Sequence, residues 1–205
     1  MDKVPLPPSY HKFVDKRQLL GVNNGYNVLS NLAVFAPAFY LLQKRNVKNT
    51  KSKLLAFHIT LIAITSTYYH MLPSNGRVFW DMLSIATTHA ILLSYFVEDK
   101  VAITIYGLAI ISVIYWYSYN DLRPYIVLLT GIPVYIISQI YDDERVKEYI
   151  GPIIFSSLFA RYLEYNDANV YRITNKVISG HTAKHFSAGM ALYLAIEILD
   201  KLGKL

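Results

Sequence analysis

At 205 residues, with 54% apolar and 17% charged side chains, the chain carries less charge than the roughly one quarter usual in soluble domains. Its apolar residues fall in blocks too long for a soluble core, and the absence of cysteine removes disulfides, thiolate metal sites and thiol catalysis. The net charge of +6 sits mainly in the connections between those blocks, where membrane topology collects Lys and Arg, so it does not argue for a nucleic-acid partner.

Residues 1–24 read as a polar segment. Met1–Pro8 is Pro-rich and lacks a charged stretch leading into a short apolar run, which speaks against a cleaved signal peptide. A membrane crossing needs about 20 largely apolar residues. Seven stretches approach this: Tyr26–Gln43, Leu54–Leu72, Val78–Val97, Val101–Tyr119, Arg123–Tyr141, Tyr149–Tyr165 and His181–Leu199. Their breaks are chemically marked. Lys44–Lys53 is a basic connection, Pro73-Ser74-Asn75-Gly76 a tight turn, and Glu98-Asp99-Lys100 a short charged one. Asn120-Asp121, Asp142–Glu148 and Asn166–Gly180 supply the rest. Connections this short make neighbouring helices antiparallel. The expectation is therefore an all-α, polytopic membrane protein: one seven-transmembrane-helix bundle, a single domain over residues 1–205.

Many of the 18 tyrosines sit near the ends of these stretches, as in an interfacial aromatic belt. The cations of Lys44–Lys53 favour the cytoplasm for that connection, with the N-terminus on the non-cytoplasmic side and the C-terminus inside. Lys3, Lys12, Lys16 and Arg17 lie on the opposite side and offset part of that bias.

Ionisable groups inside membrane spans are costly and are functional candidates by default. Ser66 and His70 lie late in the second stretch, Asp81 early in the third, and His181 and His185 at the start of the seventh. Because successive helices alternate in direction, all five belong to one membrane face. Ser66 and His70 are four residues apart and share a helix face, as do His181 and His185. Three imidazoles leave one tetrahedral position open, the pattern of a catalytic zinc site. Zinc would activate a water and polarise a carbonyl. Asp81 is placed to take or orient the water's proton, and Ser66 to donate to a developing oxyanion. Either side chain also suits a supporting role that fixes an imidazole tautomer. Two histidines on different helices also suit haem ligation. His58 and His89 read as hydrogen-bonded packing residues, Arg161 and Glu164 as a pair, and Asp167 as a solvated helix end in preference to a supporting residue of the metal site. Glu197, about 18 Å along the helix from His185 at 1.5 Å per residue, falls outside the site.

These residues resemble the alkaline ceramidase family, part of a superfamily of seven-helix membrane hydrolases that includes the progestin/adiponectin receptors. The resemblance rests on Ser66-Thr67-Tyr68-Tyr69-His70, on Asp81 eleven residues later, and on His181-Thr182-Ala183-Lys184-His185. Asn27-Val28-Leu29-Ser30-Asn31 adds to it, and the likeness runs from about Asp15 onward, nearest to short bacterial-type members. It implies that His70, His181 and His185 bind zinc and that Asp81 and Ser66 complete the site. It further implies hydrolysis of the ceramide amide to a sphingoid base and a fatty acid, and the short connections suggest that a monomer could enclose the site. Animal members also carry calcium on acidic residues before the first helix. Here that segment offers Asp15, Asn23 and Asn24 with no Glu, a poor calcium donor set. Phospholipid ester hydrolysis and a non-enzymatic, receptor-like or structural bundle are the competing readings.

Overall fold

The computed structural model describes residues 2–44 and 49–205. Arg45 and Lys48, two cations of the basic connection, lie outside the described residues. The described chain is all-helical: α1 (Gly25–Gln43), α2 (Thr50–Met71), α3 (Asn75–Leu93), α4 (Asp99–Tyr119), α5 (Arg123–Ile140), α6 (Lys147–Tyr165), α7 (Asp167–Ile173) and α8 (Gly180–Lys201). Each of the seven apolar stretches becomes a long helix. The connection Asn166–Gly180 differs from expectation, since half of it winds into the short α7.

Boundaries move where a side chain caps the backbone. Asn49 accepts from the Ser52 N–H, so α2 starts four residues before the apolar stretch. Ser74 accepts from the Arg77 N–H, so α3 starts three residues early and consumes half the anticipated turn. Ser179 accepts from the Thr182 N–H and sets the start of α8, and with it the position of both α8 histidines. A side-chain acceptor there satisfies one of the four N–H groups a helix start leaves open.

Among the described residues, only α1, α4 and α5 are long and apolar enough to cross a membrane by length and composition. α2, α3 and α8 are diluted by polar residues turned inward: His58, Ser66 and His70 on α2, Asp81, Ser84, Thr87 and Thr88 on α3, and His181, Thr182 and His185 on α8 are all buried, while α6 carries the exposed Lys147 and Arg161. Large apolar side chains face outward instead, among them Leu32, Ile64, Ile103, Val127, Leu158 and Phe186.

The helices pack in the order α6, α8, α1, α2, α3, α4, with α5 against α3 and α4. α1 and α8 approach closely, and a Cβ at Gly189 would run into the Ala33 carbonyl. Residues 2–24 cross the end of the bundle where α1, α3 and α8 begin and α2 ends. This segment is tied at Leu122, whose N–H donates to Val4 O, and at Asp121, which accepts from the Val4 N–H. Phe13, 5% exposed, is its buried residue in the core formed by Tyr69, Val78, Met82, Trp116 and Tyr125.

Candidate metal centre

The end of α2 and the start of α8 bring three imidazoles together. His70, His181 and His185 each offer a ring nitrogen, all within 4.8 Å of one another, and all three residues are buried. His70 Nε2 and His181 Nε2 are 2.6 Å apart. α1 lies between α2 and α8, antiparallel to the first and parallel to the second, so that the end of α2 and the start of α8 meet beside the start of α1.

Hydrogen bonding at the far side of two rings fixes their tautomers. His70 Nδ1 is 2.5 Å from the Ser66 carbonyl, which only accepts, so the proton sits on Nδ1 and the Nε2 lone pair faces inward. His185 Nδ1 is 2.6 Å from Ser30 Oγ. The Ser30 hydroxyl proton goes to Asn27 O at 3.0 Å, so Ser30 accepts from His185 Nδ1–H and leaves that Nε2 unprotonated as well. Two inward lone pairs, with the remaining ring N–H held by a carbonyl or hydroxyl, is the arrangement that metal-binding histidines adopt.

The donor set fits a zinc ion. Ligand nitrogens about 2.0–2.1 Å from a tetrahedral zinc lie about 3.4 Å apart, between the closest approach and the outer bound of this cluster. It does not fit haem between His70 and His181, since their 2.6 Å separation leaves no slot for a macrocycle.

Ser66 and Asp81 stand beside the cluster. Ser66 Oγ is 3.4 Å from His70 Nδ1, and the Asp81 carboxyl lies next to the Ser66 hydroxyl. Asp81 is buried, and its Oδ1 has no hydrogen-bond partner. A buried carboxylate oxygen without a donor costs more than a paired one, so its retention marks a place for a ligand or water. All five of the anticipated site residues therefore share one neighbourhood.

Asp15 and Asn24, the calcium candidates, are engaged elsewhere. Both Asp15 oxygens accept from Arg17, at 2.9 Å and 2.6 Å. The Asn24 amide donates to the His70 carbonyl at 2.9 Å, and Asn23 accepts from Gln18. Arg17 also donates to Val177 O and lies 4.1 Å over the Tyr26 ring. Hydrogen bonding to Asp15 pushes the Arg17 guanidinium further into its charged form. A fixed side-chain cation thus already neutralises the one carboxylate of that set.

Asp167, expected as a solvated helix end, is corrected: its Oδ1 accepts from His181 N–H at 2.8 Å and its Oδ2 from Val14 N–H at 3.1 Å. It caps the start of α8 and holds the N-terminal segment in the same stroke. Glu164 pairs with Arg161 at 3.1 Å as anticipated, and also with Lys184 at 2.7 Å, which sits between the two α8 histidines in sequence. His58 and His89 are packing residues, bonded to the Leu54 and Ile85 carbonyls. Glu197 bonds Tyr40 and Lys44 at the other end of the bundle.

Ser30 and Phe13 were not assigned a role by sequence. Ser30 sits in the Asn27–Asn31 stretch, three residues after Asn27 on the buried face of α1, so helical spacing carried a signal for it. Phe13 lies in an irregular segment with no periodicity to mark it. Compared with known proteins, the chain matches no family model, no curated protein sequence and no solved structure.

Proposed function

We propose that the chain is a polytopic membrane protein whose seven long helices cross the bilayer and whose three histidines hold zinc for hydrolysis of an amide in a ceramide-like lipid. The observation that carries this reading is the convergence of the three buried imidazoles beside an unpartnered Asp81 oxygen.

The seven-span part rests on two features. The helices outside the apolar set are 19–22 residues long, enough for a hydrocarbon core of about 30 Å. Large apolar side chains cover the outside of the bundle while His, Ser, Thr, Asn and Asp side chains are buried among its apolar core, as suits lipid better than water. In this reading the Lys44–Lys53 connection and the C-terminus face the cytoplasm and residues 2–24 the opposite side.

The chemistry follows from the residues. His70, His181 and His185 would hold the zinc, which when bound would supply Lewis-acid chemistry at a carbonyl and a water. Asp81 Oδ1, with no competing donor, accepts the water's proton and returns it to the leaving amine. The Ser66 hydroxyl donates to the oxygen on which charge develops. Ser66 O and Ser30 Oγ keep the protons of His70 and His185 on the outer nitrogens throughout. The cluster lies within about a turn of the helix ends, the depth of a ceramide amide near the headgroup boundary.

The test is product release from a lipid panel by the purified protein. Free fatty acid from ceramides, lost in Asp81→Asn, supports the amidase. Fatty acid from phospholipids alone would assign ester hydrolysis, and none from either would refute the hydrolase reading.

A further inference from the structure

Phe13 stands against the cluster on the side that the helices leave open. Its ring stacks on His70 with centroids 4.9 Å apart and planes within 8°, and lies 4.5 Å from the His181 ring. It comes from the segment before α1, in which it is the buried apolar side chain beside the buried Asp15 and Asn24. The residues around Phe13 are fastened individually. Val14 N–H goes to Asp167 Oδ2, while the same carboxylate holds His181 N–H. His11 is gripped from two helices: its Nδ1 lies 3.0 Å from the Tyr69 hydroxyl and its Nε2 2.8 Å from Asn75 Oδ1. Tyr10 stacks on Tyr69, and burial, reinforced by Glu164 and Tyr69, pushes its phenol well above the usual range.

These contacts have a common consequence. An imidazole stacked on one face, with its Nδ1 bonded, has no rotational freedom left about its final bond. The same ring that fixes the His70 plane also occupies the route from the aqueous end to the three nitrogens. We propose that residues 2–24 form a strap in which Phe13 is a stopper and positioning residue for the histidine cluster and Asp167 is its latch. Water, metal ions and chelators reach the imidazoles from this end only when the strap lifts. The hydrolase reading is not required for this, since the claim concerns access to the histidines.

The test uses full-length protein in detergent, stripped of metal, pulsed with diethyl pyrocarbonate, and read by mass spectrometry at each histidine. Phe13→Ala is expected to speed modification of His70 and His181 by about tenfold, as when a buried aromatic contact that holds a local opening shut is lost. His58 and His89, outside the cluster, keep their rates. Phe13→Leu, which retains bulk, restores most of the protection. Asp167→Ala, with Phe13 intact, raises labelling of the same two histidines and of His11. In zinc-loaded protein, Phe13→Ala speeds metal removal by a chelator in parallel. A Phe13→Ala protein whose His70 and His181 label within twofold of wild type would overturn the proposal. So would a rise shared equally by His58 and His89, because that reports general loosening.

Discussion

Ser30 Oγ accepts the Nδ1 proton of His185 at 2.6 Å while passing its own proton to Asn27 O, so a helix that supplies no candidate ligand sets the tautomer of one. Ser30→Ala removes that acceptor and leaves a buried N–H unsatisfied, a cost of about 1–3 kcal/mol. Supporting hydrogen bonds of this kind are worth about 10–100-fold in metal affinity. Titration against a competing chelator should show zinc binding weakened in that range with the helical content retained. Unchanged affinity would mean that Ser30 does not orient the ring.

Gly189 brings α8 against α1 one turn below His185, where an added methyl meets the Ala33 carbonyl. Backbone offers no flexible side-chain end to give way, so Gly189→Ala should separate the two helices. Overpacking costs about 1–3 kcal/mol. Thermal unfolding followed by circular dichroism should show the lost stability. Because the same two helices carry Ser30 and His185, zinc affinity should fall with it. Gly107→Ala, at a position with open space around it, serves as the neutral control.

Asp81 has one oxygen without a donor, and Asn has the same shape without the charge. Asp81→Asn should therefore keep the fold and the zinc. As the group that accepts a proton, Asp81 should account for about 10²–10⁴-fold in turnover, so ceramide hydrolysis falls by that factor. Zinc content and fatty-acid release measured on one preparation separate these effects. A loss of zinc together with activity would make Asp81 a structural partner of the metal site.

Much of this was legible in the sequence, for identifiable reasons. The long helices follow from apolar blocks broken by Gly, Asn and Pro. The convergence of Ser66, His70, Asp81, His181 and His185 follows from counting helix directions. Those arguments use periodicity and alternation, which a sequence displays. They give no access to irregular backbone: Phe13 owes its place to a non-helical path that ends over His70. Asp167 looks like any helix-end acid until the chain folds Val14 beside it. Hydropathy alone also marks fewer helices than the bundle contains, because His58, His70 and His185 lower the average of helices whose outer faces are apolar. The calcium expectation turned on residue types at Asp15 and Asn24, and only the fold shows Arg17 already seated against Asp15.

The fastening of the N-terminal segment carries a pH signature. Asp121 accepts from the Arg123 side chain and from the Arg123 and Val4 N–H groups, and these donors, Arg123 foremost, hold its carboxyl well below the usual range. A depressed folded-state value means that the contribution is complete above the unfolded value of about 3.9 and is lost as pH falls beneath it. The Val4 amide should keep its hydrogen-exchange protection factor from pH 7 down to about 4 and lose it progressively below that, as pH falls towards the depressed folded-state value. Asp121→Ala should show low protection at every pH. Loss of protection already near pH 6 would assign the fastening to another group.

The central claim is that three histidines form one metal centre, and elemental analysis of purified protein tests it most directly. Wild-type protein and His70→Ala, His181→Ala and His185→Ala should be equilibrated with zinc and freed of excess together. One zinc per wild-type chain, absent from each variant while helical content is preserved, is the predicted result. Wild-type protein that retains no zinc, or variants that retain as much as wild type, would contradict it.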